Sequence, residues 1–245
     1  DTKEGFGDYG GTGIYLDNNY LYASSDEAVF RYPINNAGKV SNTTPDTLIT
    51  NLIAGRTHAT KSFTLDGDGN IYVNIGAYSY GEGLRFATGL RNVMGLDWNK
   101  EINKLFVAQH GRDMLNTLFP DLYDSKTSAE LPAETMYMLE EGDDAGWPYI
   151  YYDHLQKKKI LAPEYGGDGK ITGGDNALDP VAAFPAHLAP NAMLFYTGDM
   201  FPHKYKNGAF IAFHGSWNRA PEKQAGYMVA FVPFENGKPI GEWEV

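Results

Sequence analysis

Cysteine is absent from the 245 residues. That removes disulfides, thiolate catalysis, iron–sulfur clusters and Cys-ligated zinc together. It leaves the compartment open, since a cysteine-free protein is at home on either side of a membrane. Basic residues are scarce, 20 Lys and Arg against 31 Asp and Glu, for a formal net charge of -11. Most of such a surface repels a phosphate backbone, so no nucleic acid is expected as a partner. Apolar runs are short, and none approaches the roughly 18 residues of a membrane-spanning helix. No GxSxG, HExxH, P-loop or GxGxxG is present, so serine-triad, zincin and nucleotide chemistry lack support. The chain opens on Asp1 with neither an initiator Met nor a signal peptide. A mature or trimmed form would do the same, so the missing address says little.

What is present suits strands and turns. Hydrophobic content of 42% with 21% charged residues is enough for a substantial core. The 17 Tyr, 13 Phe, 28 Gly and 13 Pro favour pleated strands joined by tight turns. Four hairpins read directly off the chain. They are Gly13-Ile14-Tyr15-Leu16-Asp17 with Tyr20-Leu21-Tyr22-Ala23, Phe63-Thr64-Leu65-Asp66 with Ile71-Tyr72-Val73, Met94-Gly95-Leu96-Asp97 with residues 104–108, and Leu194-Phe195-Tyr196 with residues 208–212. Flanking strands are expected at 28–32 and 227–233. Repeated units of about 40–50 residues, four strands each, mark a β-propeller.

Asp17 and Asp66 stand 49 positions apart, one blade. Asp66 and Asp97 stand only 31 apart, which implies a stunted blade or residues missing near Tyr80. A loop-rich insertion is expected at about 113–190, beside strands of one further blade. Within it, only 115–122 and 128–139 could hold short helices. The whole chain reads as a single domain.

Two strand ends stand out. KLFVAQ runs into His110-Gly111-Arg112, and GAFIAF runs into His214-Gly215-Ser216-Trp217-Asn218-Arg219. Imidazole and guanidinium gathered at a strand end suit an anionic or oxygen-rich ligand. His58, just before the second hairpin, is a candidate general base or a surface histidine. Arg91-Asn92, at the entry to the third hairpin, offers a planar fork and an amide, or a surface Arg with a turn-capping Asn. His187 sits in a loop stiffened by Pro185 and Pro190, as a positioned side chain or within a plain connector. Trp147-Pro148-Tyr149 reads as packing. Asp66-Gly67-Asp68-Gly69-Asn70 opens like a calcium loop, but Ala77 stands where an EF-hand needs Glu. A hairpin turn is expected there.

Ala87-Thr88-Gly89-Leu90-Arg91-Asn92, Gln109-His110-Gly111-Arg112-Asp113, Gly146-Trp147-Pro148 and the run from Ala209 to Pro221 occur in one order. Together they resemble the L-sorbosone dehydrogenase-like branch of the soluble pyrroloquinoline quinone (PQQ) dependent sugar dehydrogenases, from about Gly10 to Val245. The resemblance implies an all-β, six-bladed propeller that carries PQQ and calcium. It implies oxidation of an aldose or related hydroxy-aldehyde, in the periplasm or outside the cell, with a cytochrome or quinone as electron acceptor. By similarity His58 is the general base, Arg91 and Asn92 bind the quinone and a carboxylate, and the Gly111 and Arg112 carbonyls are calcium ligands. Lys61, His214, Asn218 and Arg219 are assigned to the cofactor carboxylates. The resemblance also implies departures: a chain that starts after a first blade, stops before a closing strand and is short near Tyr80. Two other functions stay open. One is a calcium-dependent propeller lactonase, which would want carboxylates and Asn around the metal. The other is a non-catalytic propeller that binds carbohydrate.

Overall fold

The computed structural model describes residues 13–17, 19–40, 44–52, 61–75 and 83–245. The chain divides into two compact units, residues 1–84 and 85–245. His58 and the stretch around Tyr80 lie outside the described residues.

The first unit holds β1 (Ile14–Leu16), β2 (Tyr20–Ser24), β3 (Val29–Pro33), β4 (Asp46–Ile49), β5 (Phe63–Leu65) and β6 (Ile71–Val73). β1 to β4 pair in chain order as one antiparallel sheet, the up-and-down connectivity of a propeller blade. β5 and β6 form a hairpin. In this unit the two expected hairpin turns are each closed by their own aspartate. Asp17 Oδ1 accepts from the Asn19 and Tyr20 amides at 2.9 and 3.0 Å. Asp66 Oδ1 accepts from Asp68 and Asn70, both at 2.9 Å. The Asp66 carboxylate is thus spent on the turn, and burial, the largest influence, is outweighed by these donors, which hold its pKa below the usual range. The Asp-Gly-Asp-Gly-Asn run is a hairpin turn, as its Asp-Gly and Gly-Asn pairs require. Tyr22, Val29, Leu52, Phe63 and Leu65 form this unit's apolar cluster.

The second unit opens with a long hairpin, β7 (Asn92–Asn99) and β8 (Lys104–His110). One-turn α1 (Leu115–Leu118) and α2 (Ser125–Glu130) follow, then β9 (Glu134–Leu139), β10 (Ile150–Asp153), β11 (Lys158–Leu161) and β12 (Ala182–Phe184). The chain continues through β13 (Pro190–Phe195), β14 (Ala209–Phe213), β15 (Met228–Val232), β16 (Phe234–Glu235) and β17 (Lys238–Pro239). One sheet runs β7-β8-β9-β12, so the stretch after residue 113 supplies two strands of the same blade-like sheet. β10 and β11 form a hairpin inserted between those two strands. The next sheet runs β13-β14-β15.

The helix expected at 128–139 is corrected. The helical turn is α2, capped where Asp124 accepts from the Thr127 amide at 2.7 Å. Beyond Pro132 the chain is strand. β9 is a central strand with nearly every residue buried, so neither face leaves the polar alternation that marks a half-exposed strand.

The two sheets pack through aromatic side chains. Phe106 of β8 meets Phe195 of β13 with ring centroids 5.0 Å apart, and both meet Phe234, at 5.5 and 5.1 Å. Gly95 lets β7 and β13 approach, since a Cβ there would lie 2.9 Å from that of Met193. Asp97 is buried between them, and its Oδ2 accepts from the Phe195 amide at 2.7 Å. The third hairpin's aspartate therefore joins sheets instead of closing its turn. That task falls to Asn99, whose Oδ1 accepts from the Glu101 amide at 3.0 Å. The packing brings the ends of β8 and β14, and the starts of β7 and β13, to one edge of the two sheets.

Candidate functional site

Strand register assembles the first half of the site. Asn92 pairs with His110, so Arg91-Asn92 lies against His110-Gly111. The Arg91 amide donates to Gln109 Oε1 at 2.7 Å, and Gln109 in turn donates to Thr135 at 3.1 Å. The Arg91 guanidinium donates through Nη1 to the Gly111 carbonyl and through Nη2 to Asp113 Oδ2 at 3.3 Å. It lies 5.6 Å over the Trp147 ring. The Asn92 amide faces His110 Nδ1 at 3.4 Å, and His110 Nε2 faces the Pro190 carbonyl at 3.1 Å. Nε2 must donate there and Nδ1 can accept, so this imidazole is neutral. Burial holds its pKa below the ordinary value.

The second half comes from the loops around β13 and β14. The His214 amide donates to the Ala189 carbonyl and the Gly215 amide to the Leu188 carbonyl, both at 2.8 Å. Ser216 Oγ accepts from the Asn218 amide at 3.1 Å and starts a short 3-10 turn. That turn sends the Asn218 amide to Asp113 Oδ1 at 2.8 Å. His187 Nδ1 reaches the same oxygen at 3.3 Å, while its Nε2 faces the Ser128 carbonyl at 2.9 Å.

Asp113 is therefore a hub for Arg91, Asn218 and His187, drawn from three segments. Burial acts to raise its pKa, but the His187 hydrogen bond and the Arg91 charge outweigh it and hold the carboxyl below its usual range. Burial likewise opposes protonation of His187, but Asp113 and the Ser128 carbonyl outweigh it and raise the pKa. With both ring nitrogens facing acceptors, His187 is an imidazolium locked in place, not an open base.

Glu134, at the start of β9, is 2% exposed. Its Oε2 accepts from the Gly111 amide at 2.9 Å and its Oε1 from the Ala189 amide at 3.2 Å. Burial pushes its carboxyl up to about 7, against the pull of both amides. An unfolded carboxyl loses its proton near 4.5. Between those values the folded chain keeps a proton that the unfolded chain has lost, so stability falls as pH rises. The raised His187 acts in the same direction above the ordinary histidine range. The depressed His110 acts oppositely below the ordinary histidine range, and Asp113 and the other depressed carboxyls do so only below about pH 4. Unfolding free energy is expected to peak near pH 5 and to decline toward pH 8, with Glu134 contributing on the order of 3 kcal/mol of that loss, and the melting temperature should follow. Thermal melts of wild type and E134Q across that range check it, with the slope much reduced in E134Q.

The residues singled out from sequence divide into three groups. Arg91 and Asn218 meet at Asp113, the Gly111 carbonyl shares the Arg91 guanidinium, Asn92 sits beside His110 in the same strand pair, and the His214 ring is exposed at the neighbouring strand end. The Arg112 and Arg219 side chains are buried in ion pairs. Arg112 grips Glu164 with two bonds of 2.7 Å and leaves only its carbonyl for the site. Arg219 donates to Glu130 at 2.6 Å and to the Ala186, Lys223 and Ala129 carbonyls at 2.8, 3.2 and 3.4 Å. Lys61 lies in the first unit, 1% exposed, and burial lowers its pKa. His58 falls outside the described residues.

The donor chemistry fits the group implied by the motifs. Carboxylates and a quinone call for guanidinium and amide donors, as at Arg91, Asn92 and Asn218. A hard cation calls for oxygen donors, and the Gly111 carbonyl and Asp113 carboxylate already converge on the Arg91 guanidinium. Among the described residues no three acidic or histidine side chains gather as a metal site, so backbone oxygens would have to contribute. The cavity lined by Arg91, His110, Gly111 and Trp147 measures about 30 Å³. That is room for a water and not for a tricyclic cofactor.

A family model described as TrAA12-like matches residues 169–244. A pyrroloquinoline quinone-dependent pyranose dehydrogenase of Coprinopsis cinerea is 28% identical over 174 residues, 63% of this chain and 22% of that protein. An uncharacterised protein of Borreliella burgdorferi is 30% identical over 150 residues, 61% of this chain and 34% of that protein. The chain thus matches about a third or less of these relatives' length. A calcium structure of a Trichoderma reesei enzyme of Carbohydrate-Active Enzymes Family AA12 superposes with a TM-score of 0.68 at 20% identity, over 94% of this chain and 67% of that one. The fold is shared with that enzyme.

Proposed function

We propose that this chain is the PQQ-bearing part of a sugar oxidoreductase that oxidises an aldose or related hydroxy-aldehyde. The observation that carries the reading is the convergence of Arg91, Asn218 and the Gly111 carbonyl around Asp113, with Asn92 beside His110 at the same edge. The sequence likeness to a PQQ-dependent pyranose dehydrogenase supports it. The narrower placement in the L-sorbosone dehydrogenase-like branch, six-bladed closure and an exported location rest on the motifs alone. Among the described residues no helix is long and apolar enough to cross a membrane.

In this reading Arg91, Asn92, Asn218 and His214 hold the cofactor's carboxylates and quinone oxygens, with Lys61 and Arg219 assigned by resemblance. The Gly111 and Arg112 carbonyls hold calcium, which requires the Arg91 guanidinium to leave the Gly111 carbonyl for the ligand. The bound quinone supplies hydride acceptance, with calcium as the Lewis acid that polarises it. His58 takes the proton of the sugar hydroxyl. Asp113 keeps Arg91 and Asn218 oriented, and His187, as a fixed cation, keeps Asp113 ionised. Reoxidation falls to a cytochrome or quinone partner.

The test adds PQQ and calcium to metal-free protein and follows dye reduction with several aldoses. Turnover that requires PQQ, and that is lost in H58A, is the expected result. Lactone hydrolysis without PQQ would replace this reading with a lactonase. Glycan binding with no response to PQQ would replace it with a carbohydrate-binding module.

A further inference from the structure

We propose that Glu134 is a positioning residue of this site, a buried carboxyl that holds both site-bearing strand ends in one frame. Its two oxygens are spent on backbone amides from segments far apart in sequence, Gly111 at 2.9 Å and Ala189 at 3.2 Å. Gly111 belongs to the first strand end. Ala189 reaches the second, because its carbonyl accepts from the His214 amide at 2.8 Å. One side chain at the start of β9 therefore links His110-Gly111-Arg112 to His214-Gly215. An apolar residue of similar size would avoid the desolvation of a carboxyl but would leave the part-buried Gly111 amide and the buried Ala189 amide without these partners.

The surroundings make the link specific. Gly111 crosses the 132–133 backbone so closely that a Cβ would lie 2.8 Å from both the Pro132 and the Ala133 carbonyl oxygens. Its peptide is thus held by β9 on one side and by Arg91 on its own carbonyl. His187 and Ala189 both adopt left-handed backbone, φ 60° and 56°, a conformation unfavourable for residues with a Cβ. Each has a bond that offsets this, His187 through its ring to Asp113 and Ser128, and Ala189 through its amide to Glu134. Without Glu134 the 187–189 loop loses one restraint, and the Gly111 peptide loses the partner that sets its plane. Both changes displace groups that would face the ligand.

The consequence for ligand binding rests on the reading of this edge as the PQQ and calcium site, and the experiment separates the two. Calcium chloride is titrated calorimetrically into calcium-free chain with PQQ present, for wild type and E134Q, alongside far-UV circular dichroism and hydrogen exchange. Glutamine keeps the shape but turns an NH2 toward one of the two amides. E134Q is expected to remain folded, to bind calcium at least tenfold more weakly, and to exchange the Gly111 and Ala189 amides at least tenfold faster. If E134Q does not fold, E134D, which keeps the acid and shortens its reach by one methylene, is read the same way. A folded variant with wild-type calcium affinity overturns the positioning role even if its melting temperature drops. If wild type takes up neither PQQ nor calcium, the PQQ reading fails, and exchange in wild type judges the frame. Gly111 and Ala189 amides as slow as the β8–β9 ladder support the frame, and rates like those of an exposed loop overturn it.

Discussion

R219M is expected to destabilise the second unit by about 2–4 kcal/mol, a result read from the urea midpoint. Arg219 is 8% exposed, and its guanidinium reaches one carboxylate and three carbonyls. Those partners come from α2, the loop before β13 and the loop that follows its own 3-10 turn. Methionine keeps much of the stem's volume but donates to none of them. The Glu130 carboxylate is then left without its cation, and the Ala186 carbonyl without its 2.8 Å donor. Glu130 retains some solvent, with 30% side-chain exposure, which places the loss below that of a fully buried pair. The motif resemblance gives Arg219 to the cofactor. The same variant separates the two roles, because an unchanged midpoint with lost PQQ uptake would assign the guanidinium to the ligand.

D113A is expected to lower PQQ-dependent turnover on the order of 10²-fold, while costing about 1–3 kcal/mol of stability. Removing the carboxylate releases the Arg91 guanidinium and the Asn218 amide from their shared partner, and leaves the buried His187 imidazolium without its hydrogen-bonded anion. A misplacement of about 1 Å in groups that orient a cofactor is enough for a rate loss of that size. D113N tests the charge separately. Asn can still accept from Asn218 or Arg91, but it no longer balances His187, whose pKa should fall. Dye reduction at saturating PQQ, with an NMR titration of His187, gives both readings. Wild-type turnover in D113A would show that the hub is dispensable.

How much of this was legible in the chain varied with the kind of interaction. The four hairpins were, the first three because an apolar residue, an aspartate and a polar turn form a local pattern, and the bonds of Asp17 and Asp66 to amides two to four residues away are local too. The same local reading missed Asp97, whose partner Phe195 lies in another sheet. It also missed β9, because a strand buried on both faces carries no alternation. Glu134 went with it, placed by sequence in an expected helix. Asp113 stood in plain view after His110-Gly111-Arg112, but nothing local distinguishes an aspartate that gathers three side chains from one that faces solvent.

The amino-acid sequence by itself determined the all-β class, the turn positions, the exclusion of cysteine chemistry and the two strand ends rich in His, Gly and Arg. Each depends on residue type and short spacing. Tertiary structure alone decided what those strand ends do. Register set Arg91 beside Gly111, and sheet packing carried Asn218 to Asp113, 105 positions away. It also sent the Arg112 and Arg219 guanidinia into buried ion pairs while leaving His214 exposed. A guanidinium has the same composition in a ligand site as in a structural clamp, and only the partners that folding brings within about 3 Å distinguish the two.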